Sequence, residues 1–124
     1  MQIRTAIPDD LDAILQILDA AALETDRKLT RESVAAGRTV VAVEEGRLLG
    51  AAVCSPAESG VQIDAIAVRK RRQAQGVGTA LVEVIVEDHK CVIAEFDERV
   101  RPFYESLGFE IEPTSDGRLR GSRG

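Results

Sequence analysis

The chain has 124 residues, 44% of them hydrophobic, and carries 21 acidic residues against 16 Lys and Arg. That length and content suit one domain around a single core, and the acidic balance argues against broad nucleic-acid binding, which needs a basic face. No apolar run approaches the roughly 18 residues of a membrane span, no signal peptide is apparent, and the two cysteines and one histidine make no metal-ligand spacing, so the expectation is a cytoplasmic protein without a metal.

Gln2 to Ala6 reads as a first strand. Pro8-Asp9-Asp10 is a helix start, since carboxylates are favoured in the first turn. Leu11, Ile14, Leu15, Leu18 and Ala22 then recur at helical spacing through about Leu23. Thr30 and Ser33 mark a weaker N-cap for a short helix to about Ala36, which Gly37 ends. Thr39 to Val43 and Leu48 to Cys54 are strands joined at Glu45-Gly46 as an antiparallel hairpin, and a loop from Ser55 to Gly60 closes it.

Val61 to Val68 is the next strand, and its apolar alternation changes phase between Ile63 and Ile66. Either an extra residue near Asp64 and Ala65 forms a β-bulge, or the strand is buried on both faces and its phase carries no information. Four basic residues follow, Arg69-Lys70-Arg71-Arg72, then a turn with Gly76 and Gly78 that opens into a helix faced by Val77, Ala80, Leu81, Val84 and Ile85. A loop and helix start leave backbone N–H groups without intrachain partners, and the helix dipole adds positive charge there. The stretch Ile66 to Leu81 therefore reads as an anion cradle with a phosphate or pyrophosphate as its guest. The basic cluster is its collar, or else a solvated loop or a nucleic-acid patch. His89 is placed at the helix end, where a cation suits the dipole.

Cys91 to Phe96 is a strand interrupted by Glu95. Phe103 and Leu107 mark a short helix with Pro102 in its first turn and Gly108 at its cap, and Phe109 to Ile111 is one more strand. Cys54 and Cys91 lie in apolar strands and read as buried thiols. The end, 113–124, has almost nothing apolar and is expected to be a loose tail or a short final strand. Tyr104, the sole tyrosine, is either a catalytic phenol or a packing residue beside Phe103.

Gln73-Ala74-Gln75-Gly76-Val77-Gly78 resembles the Q/R-x-x-G-x-G/A signature of the GCN5-related N-acetyltransferases (GNAT). Ile66-Ala67-Val68 matches that family's bulged strand, and Phe103-Tyr104-Glu105-Ser106-Leu107-Gly108-Phe109 its F-Y-x-x-x-G-F segment. The resemblance covers about Ile3 to Ile111 and implies an α/β (α+β) GNAT fold, one domain over 1–124. A mixed central sheet of about six strands would have flanking helices, with the bulged fourth strand running into the CoA loop and helix. It implies acetyl-CoA as cosubstrate and transfer to a primary amine, on a small molecule, an amino acid or a protein. Amides of Gln73, Ala74, Gln75, Gly76, Val77, Gly78 and Thr79 would hold the pyrophosphate, and those of Ile66, Ala67 and Val68 the pantetheine and thioester carbonyl. Tyr104 matches the family's general acid. For the base, Glu95 is preferred as a carboxylate in a buried strand, where burial would raise its pKa. Asp64 is second, and proton loss to water is a third course. The asparagine common in the family between these segments is replaced by Asp97, Glu98 and Arg99. A final family strand would have to come from the polar Arg118 to Gly121 region, or the sheet be completed by a second subunit as a homodimer. A non-catalytic acyl-CoA sensor is the alternative function.

Overall fold

The structure, a computed structural model, describes residues 1–21 and 26–124. In chain order the elements are β1 (Gln2–Thr5), α1 (Leu11–Ala20), α2 (Arg27–Ala35), β2 (Val40–Glu44), β3 (Arg47–Ala57), β4 (Gly60–Val68), α3 (Val77–Asp88), β5 (Val92–Phe96), α4 (Arg101–Ser106), β6 (Glu110–Pro113) and β7 (Leu119–Arg123). They form one mixed seven-stranded sheet in the order β1-β2-β3-β4-β5-β7-β6. Every neighbouring pair is antiparallel except β4 and β5, which are joined through α3 as a crossover unit must be.

Two cores result, one on each face of the sheet. Val77, Leu81, Val82 and Ile85 of α3 and Tyr104 of α4 pack with Val61, Ile63, Val92, Phe96 and Phe109 on one face. Ile14, Ile17 and Leu18 of α1 and Val34 of α2 pack with Val41, Val53 and Ala67 on the other. The second core takes no residue from β5, β6 or β7, so the same face of β5 has no helix over it. The buried face of α3 is turned toward Val82, with Val84 half-buried. Ala22 and Leu23, expected to extend the first helix, lie outside the described residues.

The entry to α1 is a single 3-10 turn, Pro8–Asp10. Asp10 Oδ2 accepts from Ile7 N–H at 2.9 Å and the carboxylate takes a forked pair from Arg4 at 2.7 and 3.1 Å. The Arg4 hydrogen bond is the main reason its carboxyl titrates below the usual range. Asp10→Ala is expected to cost about 1–2 kcal/mol, a lost cap and a lost charge-assisted bond. Because the folded pKa is depressed, the ion-pair part is present above the unfolded carboxylate range and lost as pH falls through the folded value. Urea unfolding should show the variant and the unaltered protein converging in acid.

The Glu45-Gly46 turn has φ of 51° and 77°, the pair of positive values a two-residue hairpin prefers. Two expectations need correction. The helix expected at Thr30 starts earlier, capped by Asp26, whose side chain accepts from Lys28 and Leu29 N–H. Ser33 is instead buried mid-helix, its hydroxyl 2.7 Å from that of Thr39 and taking Cys54 N–H. The loop expected from Ser55 is strand: β3 and β4 stay paired out to Ala57 and Gly60. Of the two forms expected of the C-terminal end, it takes the strand, β7, inserted between β5 and β6. A Cβ on Gly121 would lie 3.0 Å from the Phe96 ring and 3.3 Å from that of Phe109, so glycine lets a polar strand slide beneath two aromatic rings. Since the chain supplies its own last strand, the missing edge that motivated a homodimer is filled from within.

Candidate functional site

The β4 ladder places the extra residue at Asp64. Val53 pairs with Ala65 and Cys54 with Ile63, leaving Asp64 unpaired. The bulge keeps Ile66 and Val68 on the same core face as Val61 and Ile63, which is the phase change visible in the sequence. It also turns the backbone. Val61 N–H donates to Cys91 O toward β5, whereas Arg69 N–H donates to Leu49 O toward β3. Alternation then directs the N–H and C=O of Ile66 and Val68 toward β5. The parallel pairing nevertheless stops at Ile63 and Ala94. Beyond that point β4 and β5 separate, and the backbone groups of Ile66 and Val68 face the gap between them.

One end of this gap is the glycine loop. Gly76 has φ of 86° and precedes α3, and a Cβ there would meet nothing within 4 Å. The conformation, more than crowding, requires glycine. Gly78 has a different use: a Cβ on it would sit 3.4 Å from the Phe103 ring, so it seats α3 against α4. The N–H groups of Val77, Gly78 and Thr79 form the first turn of α3, before the first intrahelical bond at Ala80. With Val68, Arg72, Gln73, Ala74 and Phe103 they line a groove of about 220 Å³. Ala74 also has positive φ, 60°, a local strain of about 1–3 kcal/mol at a non-glycine residue that the sequence does not announce.

The basic collar divides in two. Arg69 Nε donates to Leu48 O at 2.6 Å, and Arg72 is held by Glu44 at 2.5 Å and by Gln75 at 2.9 Å. These two guanidinium groups brace the loop against β2 and β3. Lys70 and Arg71 remain exposed. Gln75 is committed to Arg72, and Ala67 points into the opposite core with its backbone toward β3. Of the cofactor-contact candidates, Ala67 therefore faces away from the gap, and Gln75 is not in the groove lining.

The other end is a cleft of about 210 Å³ lined by Ile63, Asp64, Ala65, Ile66, Glu95, Phe96, Asp97, Arg99, Val100, Tyr104 and Arg118. It brings Tyr104, Asp64 and Glu95 together from three elements far apart in sequence. Tyr104 is 3% exposed, stacked on Phe96 at 4.3 Å and edge-on to Phe103 and Phe109. Burial raises its pKa, with a smaller contribution from Cys54. The phenol is therefore protonated throughout the neutral range. Cys54 is itself pushed up to about 12, by burial first and Asp64 second, which makes it an inert thiol as expected. Cys91 is free and half-buried.

The two carboxylates exchange standing. Glu95 alternates with buried Ala94 and Phe96, so its side chain leaves by the face that no helix covers and is exposed. The burial that was to tune it is absent, and Arg120 is its cross-strand partner on β7. Asp64 is half-buried, with Oδ2 out of solvent and without a hydrogen-bond partner. Burial raises its pKa, offset in part by the Ser55 hydroxyl. His89 caps α3, its Nδ1 2.9 Å from Ile85 O, away from the cleft. Among the described residues no group of His, Cys, Asp and Glu is arranged to hold a metal, and no helix is long and apolar enough to cross a membrane.

A sheet split at a bulge, with a glycine loop and helix start at one end of the gap and a buried phenol and carboxylate at the other, defines a GNAT acyltransferase architecture. The acetyltransferase (GNAT) domain matches residues 35–111, and the chain belongs to that family, whose members transfer acyl groups from acyl-CoA. Solved structures agree over nearly the whole length. Ard1 from Thermoplasma volcanium is 24% identical, with a TM-score of 0.79, covering 98% of this chain and 93% of that one. Rv2747 from Mycobacterium tuberculosis, solved with CoA and NLQ, is 20% identical with a TM-score of 0.82, covering 98% of both chains. A ribosomal-protein-alanine N-acetyltransferase from Brucella melitensis is 21% identical with a TM-score of 0.79, covering 99% of both. At these identities the likeness establishes the fold. No curated protein matches the sequence.

Proposed function

We propose that the chain transfers the acetyl group of acetyl-CoA to a primary amine by direct attack, with both substrates bound at once. The observation that carries this reading is the placing of two clefts along β4 where its pairing with β5 ends, one at the first turn of α3 beside Val68 and one at Ile66, Asp64 and Tyr104. These parts fit acetyl-CoA: unpaired N–H groups at a helix start for a pyrophosphate, strand backbone for an amide-bearing arm, and a buried phenol with a half-buried carboxylate at the far end. Similar structures include a CoA complex and a ribosomal-protein-alanine N-acetyltransferase, which point the same way.

Acetyl-CoA supplies an activated acyl carbon and a thiol leaving group. The protein's share is positional and electrostatic. Amides from Gln73 to Thr79 hold the diphosphate, and the Ile66 and Val68 amides fix the arm and polarise the carbonyl. Tyr104, held protonated by burial, donates to the departing sulfur. Asp64, whose raised pKa brings it toward neutrality, accepts the ammonium proton of the incoming amine. Glu95, exposed at the rim, attracts a cationic acceptor.

The experiment is thiol release from acetyl-CoA across a panel of amines. Cofactor-dependent thermal stabilisation with no release for any amine would favour the sensor reading instead. Asp64→Asn supplies a second, two-sided test. Turnover should drop about 100-fold or more if the carboxylate is the base. Stability should move the other way. A raised folded pKa means that the carboxyl's favourable contribution is present below the unfolded carboxylate range and lost as pH rises through the folded value. The Asn variant should therefore be more stable than the unaltered protein at pH 7 and equal to it at low pH. Equal stability at every pH, with full turnover, removes Asp64 from the chemistry.

A further inference from the structure

The cleft at the far end of the gap is charged in a particular pattern. Of its acidic lining, Asp97 is paired with Arg99 at 3.2 Å, and Glu95 is exposed on the uncovered face of β5. Asp64 alone keeps a buried carboxylate oxygen without a partner. Of the basic lining, Arg99 is used by Asp97. Arg118 donates one N–H to the backbone oxygen of Glu95 at 3.2 Å and is in no ion pair among the described residues. Asp97 and Asp116 feel its charge only at longer range.

Arg118 is also held in place. It ends the β6–β7 turn, where Thr114 N–H donates to Arg118 O at 2.8 Å and Arg118 N–H to Asp116 Oδ1 at 3.2 Å. Gly117 supplies the positive φ of 83°. The bond to Glu95 O then ties the guanidinium to β5 at the cleft rim. A fixed guanidinium with free donors is the group best suited to a carboxylate, because its fork matches two oxygens at once. The cleft thus offers a carboxylate with an unpartnered buried oxygen, Asp64, within, and a guanidinium outside any ion pair, Arg118, at its rim.

We propose that the acceptor is a free α-amino acid, its ammonium directed to Asp64 and its carboxylate to Arg118. This rests on the acetyl-transfer reading and narrows it. A protein N-terminus or a simple alkylamine has no α-carboxylate, so it leaves Arg118 unmatched. The chemistry balances without a further reactant. The amine nitrogen forms a bond to the acetyl carbon as the carbon–sulfur bond breaks; of the two protons the nitrogen loses, one is released through Asp64 to water and the other replaces the proton that Tyr104 gives to the sulfur, which leaves as thiol.

The test compares each of the common amino acids with its amide and its decarboxylated amine, following thiol release from acetyl-CoA. At least one amino acid should be preferred over its amide and amine by about tenfold or more in kcat/KM, the worth of a charge-assisted hydrogen bond. In Arg118→Gln that ratio should collapse toward one through KM, and Arg118→Lys should restore part of it. Amides or amines used as well as every amino acid, or a ratio unchanged in Arg118→Gln, overturns the assignment of the acceptor while leaving acetyl transfer intact. No release with any compound, peptides included, overturns both. Should Arg118→Gln fail to fold, the amide and amine series on the unaltered protein decides alone.

Discussion

Gly76→Asp is expected to abolish CoA binding while leaving the protein folded. Gly76 is the N-cap of α3, and aspartate is among the best residues at that position because its carboxylate accepts helix N–H groups and suits the dipole. The cost of placing a side chain at φ of 86° is about 1–3 kcal/mol, and the cap offsets part of it. A Cβ at 76 meets no atom within 4 Å, so the fold is not crowded. The same carboxylate, however, occupies the donors a diphosphate needs and repels it at contact distance. At an effective dielectric of about 20 that repulsion is worth about 4 kcal/mol at 4 Å, and affinity should fall by about 100-fold or more. Gly76→Ala carries the backbone strain without the charge and should retain most of the affinity. Calorimetric titration with CoA reads both variants. An aspartate variant that binds CoA normally would remove the pyrophosphate from this loop.

Tyr104→Phe should lower kcat by about 100-fold or more, the usual worth of a positioned acid, with little change in CoA affinity or melting temperature. Stability is preserved because the ring survives. Its stack on Phe96 and its edge contacts with Phe103 and Phe109 involve the ring alone, and deleting a hydroxyl leaves no cavity of consequence in that cluster. Catalysis and packing therefore separate in this one substitution. A burst of product followed by slow turnover would show release limiting the rate, so single-turnover measurements belong with it. If the chemical step proceeds unchanged, Tyr104 belongs to the aromatic cluster and the leaving thiolate takes its proton from water.

Parts of the site were legible because their signals are local. The phase slip between Ile63 and Ile66 implies an extra residue, since alternation on a strand has a period of two and only an insertion restores the face. The structure places that residue at Asp64. The glycine turn and the helix after it read correctly for a similar reason: positive φ and helix periodicity are properties of short windows. Thr30 and Ser33 misled because a hydroxyl near a helix start resembles a cap. Ser33 is instead spent on Thr39 and Cys54, partners that only the packed fold brings near. Arg118 was legible only as the start of a possible final strand, since nothing local ties a polar tail residue to the β5 backbone.

By itself the sequence determined the order of elements, the bulged strand with its anion loop, and the family that these motifs specify. Each depends on spacing along the chain. Tertiary structure decided the rest. Glu95 and Asp64 are both carboxylates on strands, and no pattern near either one says which is buried. The decision lies in where the helices end. No helix of the second core reaches β5, which exposes Glu95, whereas the bulge leaves Asp64 at a half-buried rim with an unpartnered oxygen. Likewise β7 has almost no apolar signal. It exists because Leu119 is buried and Gly121 admits the rings of Phe96 and Phe109, an accommodation between residues 25 and 12 positions apart that no reading along the chain contains.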